Sequence, residues 1–100
     1  MAKILVVEDD PDIRELLEAF LAEDGHSVDS AADGLSGVSM CAQTGYDLVI
    51  LDILMPKLDG YGACELIRKT SSVPIIMLTA LDDEVNQIKG YDLRIDDYIT

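Results

Sequence analysis

Cysteine, histidine and basic residues are scarce in this sequence, and each shortage argues against a class of function. The two cysteines, Cys41 and Cys64, have no zinc-binding spacing, and the single histidine, His26, cannot complete a zinc site. We expect both thiols to be reduced and partly buried. Seven basic residues against twenty acidic ones give a net charge of −13, which argues against non-specific binding of nucleic acid.

Long apolar runs and several familiar catalytic motifs are absent as well. No run approaches the roughly 20 apolar residues of a membrane-spanning helix, and the first residues lead into a strand-like segment rather than a signal peptide. We therefore expect a cytoplasmic protein. The sequence contains no GxxxxGK[ST] phosphate-binding loop and no GxSxG motif, and His26 has no evident partner for triad hydrolysis.

What is present is a regular alternation of strand-like and helix-like segments within one domain, residues 1–100. Three short runs are apolar on both faces, which is typical of parallel strands covered by helices on either side: residues 4–7, 48–51 and 74–78. Weaker strands are expected at 27–31 and 97–99. The pattern predicts an α/β fold with a doubly wound, parallel, five-stranded sheet.

Helix signals fill the segments between the predicted strands. Asp10 and Pro11 are a favourable start for the first helix, and Gly25 is a favourable stop. An amphipathic stripe at helical spacing lies between them: Ile13, Leu16, Leu17, Phe20 and Leu21. Asp33 caps a weaker second helix, a third carries Ala63, Leu66 and Ile67, and a charged one is expected over 82–90.

Polar residues follow three of the predicted strands, where such folds bind their ligands. Glu8, Asp9 and Asp10 follow the first strand, Asp52 follows the 48–51 run, and Thr79 follows the 74–78 run. Carboxylates that converge at one edge repel one another, and a hard divalent cation such as Mg²⁺, Mn²⁺ or Ca²⁺ resolves that repulsion. Asp10 fits better as a helix cap, and a helix cap also accounts for Thr79.

A carboxylate beside Mg²⁺ has two common tasks. It holds the metal for the chemistry of another group, or it attacks phosphorus itself to form an acyl phosphate. Residue spacing alone leaves both tasks open.

Four stretches resemble the receiver domain of bacterial two-component response regulators. They are ILVVEDD at 4–10, DLVILDILMPKLDG at 47–60, VPIIMLTA at 73–80 and DDYIT at 96–100. The resemblance runs along the whole chain, and the sequence is most similar in style to receivers attached to winged-helix transcriptional regulators. It implies a flavodoxin-like sheet with strand order 2-1-3-4-5.

The resemblance also implies a role for each matching residue. Asp52 would be the phosphoacceptor and would contact the metal. Asp9 would bind Mg²⁺ (or Mn²⁺) directly, Glu8 mainly through water, and Leu54 through its backbone carbonyl. In the same family Thr79 would contact the phosphoryl group.

A switch residue is implied too: Tyr98 would move inward as Thr79 moves. Without the resemblance, Tyr98 reads as a half-exposed aromatic residue at a strand edge. Pro56 and Gly60 would shape the loop after Asp52.

Two features depart from the family pattern. A lysine and a final helix would follow Thr100 and are not in this chain, and neither Lys57 nor Lys89 can take that lysine's role. Arg94-Ile95 stands where the family usually has Gly-Ala. We therefore expect a C-terminally incomplete receiver domain with an uncovered apolar patch.

The predicted function is a phosphorylation-dependent signalling switch that is phosphorylated by a sensor histidine kinase and is not otherwise an enzyme. The expected partners are that kinase and an output domain outside this chain, which we expect to bind DNA. This segment itself would contact no nucleic acid and no membrane. Formation of a homodimer is left as an open alternative. The alternative is a receiver-like interaction module that is not phosphorylated. A Mg²⁺-dependent phosphohydrolase ranks far behind, because Ile53 and Leu54 follow Asp52 where a second carboxylate is usual.

Overall fold

The computed structural model describes residues 1–53, 55, 58–78 and 97–99, the last three by their backbone. Strands and helices alternate along this part of the chain: β1 (Lys3–Val7), α1 (Pro11–Glu23), β2 (Ser27–Ala31), α2 (Gly34–Gln43), β3 (Leu48–Asp52), α3 (Gly60–Arg68), β4 (Ile75–Leu78) and β5 (Asp97–Ile99). The helix predicted over 82–90 and the Arg94-Ile95 pair lie outside the described residues.

All five strands are parallel and form one sheet in the order β2-β1-β3-β4-β5. The predicted α/β class and strand order are therefore confirmed. β1 lies between β2 and β3. The chain therefore passes from β1 to its neighbour β2 on one side, and then crosses back to form β3 on the other side of β1. The junction of β1 and β3 is the point at which open α/β sheets bind ligands.

The register of β1 and β3 brings their last residues level with each other. Val7 pairs with Leu51, so that the next residues, Glu8 and Asp52, emerge side by side. We call this side of the sheet, where the strands end, the carboxyl edge, and the side where they begin the amino edge.

Each described helix begins at the carboxyl edge with an aspartate cap. The side chains of Asp10, Asp33 and Asp59 accept hydrogen bonds from backbone N–H groups in the first turns of α1, α2 and α3. The predicted caps at Asp10 and Asp33 are confirmed, and Asp59 is a further cap, at the start of α3. After α1, Gly25 adopts a φ of 88°, a left-handed conformation that favours glycine.

The core lies in two apolar layers, one on each face of the sheet. On one face, Leu5, Leu51 and their neighbours pack with α2 and α3. On the other, Ile4, Val6 and Ile50 pack against Leu17 and Leu21 of α1 and the residues around them. A fully buried aliphatic side chain contributes about 1.5–3 kcal/mol, so these strands supply much of the stability.

The predicted stripe on α1 is wider than the face that the sheet covers. Leu16 and Phe20 are 69% and 65% exposed and Ile13 is 44% exposed, whereas Leu17 and Leu21 pack inward. Helical periodicity identified a set of apolar residues of which only part is covered. None of the helices described here is long and apolar enough to cross a membrane.

Candidate functional site

Three carboxylates meet at the carboxyl edge, at the junction of β1 and β3. Carboxylate oxygens of Glu8, Asp9 and Asp52 all lie within 4.8 Å of one another. Glu8 is only 3% exposed, Asp52 is half-buried and Asp9 is exposed. The structure therefore brings together the three acidic residues predicted to form the site, and places Asp10 in the cap of α1.

Glu8 is held by hydrogen bonds to its main chain and side chain. Its N–H donates to the Ala31 carbonyl at 3.1 Å, and its Oε1 accepts from the Asp10 N–H at 3.1 Å. Nη1 of Arg14 donates to the Glu8 carbonyl oxygen at 3.0 Å. Sequence reasoning missed Arg14, although a basic residue one turn into an acid-rich helix start is a signal that could have identified it.

Gathering the three carboxylates at one point is electrostatically unfavourable, as the pKa of Glu8 shows. The pKa of Glu8 is raised from 4.5 to about 7. Burial is the main cause, and the charge of Asp52 and hydrogen bonds with Asp9 and Asp52 add to it, against the lowering effect of the hydrogen bond from Asp10. A buried carboxylate with two others beside it concentrates negative charge at the end of β1 and β3. The donor set, three carboxylates at a partly open edge, fits a hard divalent cation such as Mg²⁺.

The backbone next to Asp52 is packed closely against the start of α3. The N–H of Gly60 donates to the Ile53 carbonyl at 3.0 Å. A Cβ atom at position 60 would lie 2.5 Å from the Asp52 carbonyl oxygen and 2.8 Å from the Ile53 Cα. Glycine is therefore required here by close approach, and it allows α3 to buttress the strand end that carries Asp52.

Several residues implied by the family resemblance fall outside this description. Thr79, Leu54 and Pro56 lie outside the described residues. Tyr98 is described only by its backbone, which pairs with Met77 in the sheet. Their predicted roles stay predictions.

Both cysteines lie away from the carboxylates, among residues of the α2 and α3 layer. Cys64 is fully buried, Cys41 is half-buried, and neither forms a disulfide bond. Burial raises the pKa of the Cys41 thiol, which makes the reactive thiolate scarcer.

A small open cavity of about 270 Å³ lies at the amino edge, between the end of α2 and the connection from α3 to β4. Its polar lining includes Thr44, Tyr46, Thr70 and Ser71. The cavity and the three carboxylates therefore lie at opposite edges of the sheet.

Comparison with known proteins places the chain in a family. Residues 4–100 match the response regulator receiver domain. A curated relative, the probable transcriptional regulator ycf27 of Porphyridium aerugineum, is 53% identical over 97 residues, which are 97% of this chain and 40% of the relative. The chain thus spans about 40% of the length of that relative.

Solved structures show the same architecture. The chemotaxis protein CheY4 of Vibrio cholerae superposes with a TM-score of 0.96 at 28% identity, covering 100% of this chain and 86% of that one. The response regulator protein TrrA of Thermotoga maritima, solved in complex with Mg²⁺ and BeF, has a TM-score of 0.90 at 39% identity, with 100% and 86% covered. The chain belongs to the response regulator receiver domain family, the phosphorylation-dependent switches of two-component signalling.

Proposed function

We propose that this chain accepts a phosphoryl group on Asp52 and thereby switches between two signalling states. The observation that carries the proposal is the convergence of Glu8, Asp9 and Asp52 at the junction of β1 and β3, on the ligand-binding edge of the fold. Asp52 is the member of the cluster that ends a buried strand and is buttressed from behind by α3. It is therefore held firmly while remaining partly open to a donor.

The transfer is a displacement at phosphorus. An Asp52 carboxylate oxygen attacks the phosphorus of a phosphohistidine, the new O–P bond gives an acyl phosphate, and the P–N bond breaks. The electron pair of the P–N bond stays on the imidazole nitrogen, which takes up a proton from water, so that neutral imidazole leaves. A small acyl phosphate such as acetyl phosphate can serve as the donor by the same displacement, with acetate as the leaving group.

Glu8 and Asp9 prepare the site for this chemistry. In the proposed arrangement Asp9 and Asp52 would bind the cation directly, Glu8 would bind it mainly through water, and the Leu54 carbonyl would be a further ligand. When bound, Mg²⁺ (or Mn²⁺) neutralises charge on the carboxylates and on the phosphoryl oxygens. The Mg²⁺ and BeF held by the TrrA protein support this assignment.

The switch residues in this proposal are Thr79 and Tyr98. The Thr79 hydroxyl would bind a phosphoryl oxygen, and Tyr98 would move inward as Thr79 shifts. Phosphorylation biases such a two-state element because the new contacts exist in only one state.

The proposed biological setting is a cytoplasmic two-component system. A sensor histidine kinase donates the phosphoryl group, and an output domain outside this chain responds. The transcriptional regulator relatives support a DNA-binding output. In this role the chain catalyses only its own phosphorylation and dephosphorylation and turns over no separate substrate.

The test is the intact mass of the protein after incubation with acetyl phosphate, with and without Mg²⁺. We expect one phosphoryl adduct that requires Mg²⁺ and is lost in Asp52→Asn. Asp47→Asn is the matched control, because Asp47 lies at the amino edge and should leave the adduct unchanged. Folded wild-type protein without an adduct would contradict the proposal and favour an interaction module that is not phosphorylated.

A further inference from the structure

We propose that Arg14 is a positioning residue for the metal-binding carboxylates, and that it acts through the peptide between Glu8 and Asp9. This inference rests on the proposed function, because it assigns a task to a side chain beside the same site. Arg14 contributes no ligand atom to the cluster. Its guanidinium instead binds the main chain from which two of the three carboxylates project.

The geometry of one peptide unit carries the argument. Nη1 of Arg14 donates to the Glu8 carbonyl oxygen at 3.0 Å. That oxygen and the nitrogen of Asp9 belong to the same planar peptide group, so fixing the oxygen restricts rotation of the plane. The direction in which the Asp9 side chain leaves the backbone is restricted with it.

The other side of Glu8 is fixed by the sheet. The Glu8 N–H donates to the Ala31 carbonyl at the end of β2. The strand therefore holds Glu8 from its N-terminal side, and Arg14 holds it from its C-terminal side. Without Arg14, the peptide that leads to Asp9 loses its anchor on the C-terminal side of Glu8.

Arg14 also joins the site to helix α1. Its backbone N–H donates to the Asp10 carbonyl at 2.9 Å, and the Asp10 N–H donates to the Glu8 carboxylate at 3.1 Å. Glu8, Asp10 and Arg14 are thus linked through both main chain and side chains. These hydrogen bonds tie the first turns of α1 to the strand end that carries Glu8 and Asp9.

The expected consequence is a loss of Mg²⁺ affinity rather than a general loss of stability. Removing a group that orients metal ligands typically weakens metal binding by about 10- to 100-fold. Arg14→Met keeps the length and packing of the side-chain stem but removes the donors. Arg14→Lys keeps one donor group and should recover part of the affinity.

Arg68 is a matched control at the opposite edge of the sheet. Its Nη1 donates to the Val73 carbonyl at 2.6 Å, so it too holds a main-chain carbonyl just outside a strand. Arg68→Met should lower the melting temperature, because that contact is lost, while changing the Mg²⁺ dissociation constant by less than about twofold. The two variants remove the same kind of contact, one near the carboxylates and one far from them.

The experiment is isothermal titration of the whole unphosphorylated chain with Mg²⁺ for wild type, Arg14→Met, Arg14→Lys and Arg68→Met. Each is measured at about 0.01 M and about 1 M salt, where charge effects reach roughly 30 Å and 3 Å. We expect Arg14→Met to bind at least about 10-fold more weakly at both salt concentrations, with Arg14→Lys in between. Circular dichroism confirms that each variant is folded, and Arg14→Lys alone decides the matter if Arg14→Met does not fold.

Two results would overturn the assignment: Mg²⁺ binding by Arg14→Met as tight as or tighter than that of wild type, or equal weakening in Arg68→Met. Tighter binding that appears only at low salt would show that the positive charge of Arg14, which repels Mg²⁺, outweighs any positioning role. Acetyl phosphate labelling of the wild type is run in parallel. A wild type that binds Mg²⁺ with the predicted Arg14 dependence but takes no phosphoryl group would contradict the proposed function and leave the positioning role standing.

Discussion

At the amino edge of the sheet polar side chains meet complementary partners, whereas at the carboxyl edge three carboxylates meet one another. At the amino edge Tyr46 donates its hydroxyl proton to Asp29 at 2.7 Å, and the Lys3 N–H donates to Asp47 at 2.8 Å. At the carboxyl edge the oxygens of Glu8, Asp9 and Asp52 lie within 4.8 Å of one another. The sheet thus has carboxylates bound to hydrogen-bond donors near one end and carboxylates clustered with one another at the other.

This difference separates the part of the molecule that stabilises the fold from the part for which we propose chemistry. Paired groups at the amino edge lower the free energy of the folded state. The clustered carboxylates raise it in the absence of a cation, as the raised pKa of Glu8 indicates. An unfavourable cluster of charges is typical of a functional site, where a bound ligand compensates the charge.

The largest stability effect is expected at the carboxyl edge, from Gly60→Ala. The new Cβ would lie 2.5 Å from the Asp52 carbonyl oxygen, so the strand end or the start of α3 must shift. We expect a loss of about 2–3 kcal/mol in the free energy of unfolding, measured by urea denaturation, and slower labelling by acetyl phosphate. Gly45→Ala is the matched control: nothing lies within 4 Å of its Cβ position, and a loss equal to that of Gly60→Ala would refute the steric account.

A smaller effect is expected at the amino edge, from Tyr46→Phe. The substitution removes a hydrogen bond between the half-buried phenol and the Asp29 carboxylate, and should cost about 1 kcal/mol. Labelling of Asp52 by acetyl phosphate should be unchanged, because Tyr46 lies at the other end of the sheet. Slower labelling in a variant that is still fully folded would show that the two edges are not independent.

Tyr46 also predicts a pH dependence. Burial, together with the hydrogen bond to Asp29 and its charge, raises the pKa of Tyr46 from 10.0 to about 12. Because the folded-state pKa is the higher one, this contribution to stability is fully present below pH 10 and is lost as the pH rises through about 12. Absorbance titration of the phenolate in wild type and Tyr46→Phe measures it; a phenol that ionises near pH 10 would contradict the prediction.

The smallest effect is expected from Asp47→Ala, also at the amino edge. Its carboxylate accepts a hydrogen bond from the Lys3 N–H at an exposed position. Water replaces such a contact readily, so we expect a loss below about 1 kcal/mol by urea denaturation. A loss as large as that of Gly60→Ala would mean that the amino edge, rather than the close packing behind Asp52, dominates the stability of the sheet ends.

The apolar strands and the acidic residues that follow them could be predicted from the sequence. A run such as 48–51 is apolar on both faces because helices cover both faces, and parallel pairing then places Asp52 beside Glu8. The strand order came from the family resemblance rather than from the pattern. The caps at Asp10 and Asp33 were predictable because an aspartate before a helix has a local hydrogen-bonding role.

Features that depend on tertiary contacts could not be predicted in this way. The close approach of Gly60 to Asp52 and the bond from Arg14 to Glu8 join segments whose distance the sequence does not state. That Leu16 and Phe20 are among the exposed members of the α1 stripe could not be predicted either, because helical periodicity identifies apolar residues without showing which of them the sheet covers.

The most direct test of the central claim is the free energy of unfolding of wild type and Asp52→Asn, each with and without Mg²⁺. Without Mg²⁺ we predict that Asp52→Asn is the more stable protein, because it removes a charge beside Glu8. At a Mg²⁺ concentration about 100 times its dissociation constant, wild type should gain about 2.7 kcal/mol and the variant much less. A wild type that Mg²⁺ does not stabilise, or an Asp52→Asn variant that gains as much as wild type, would contradict the account.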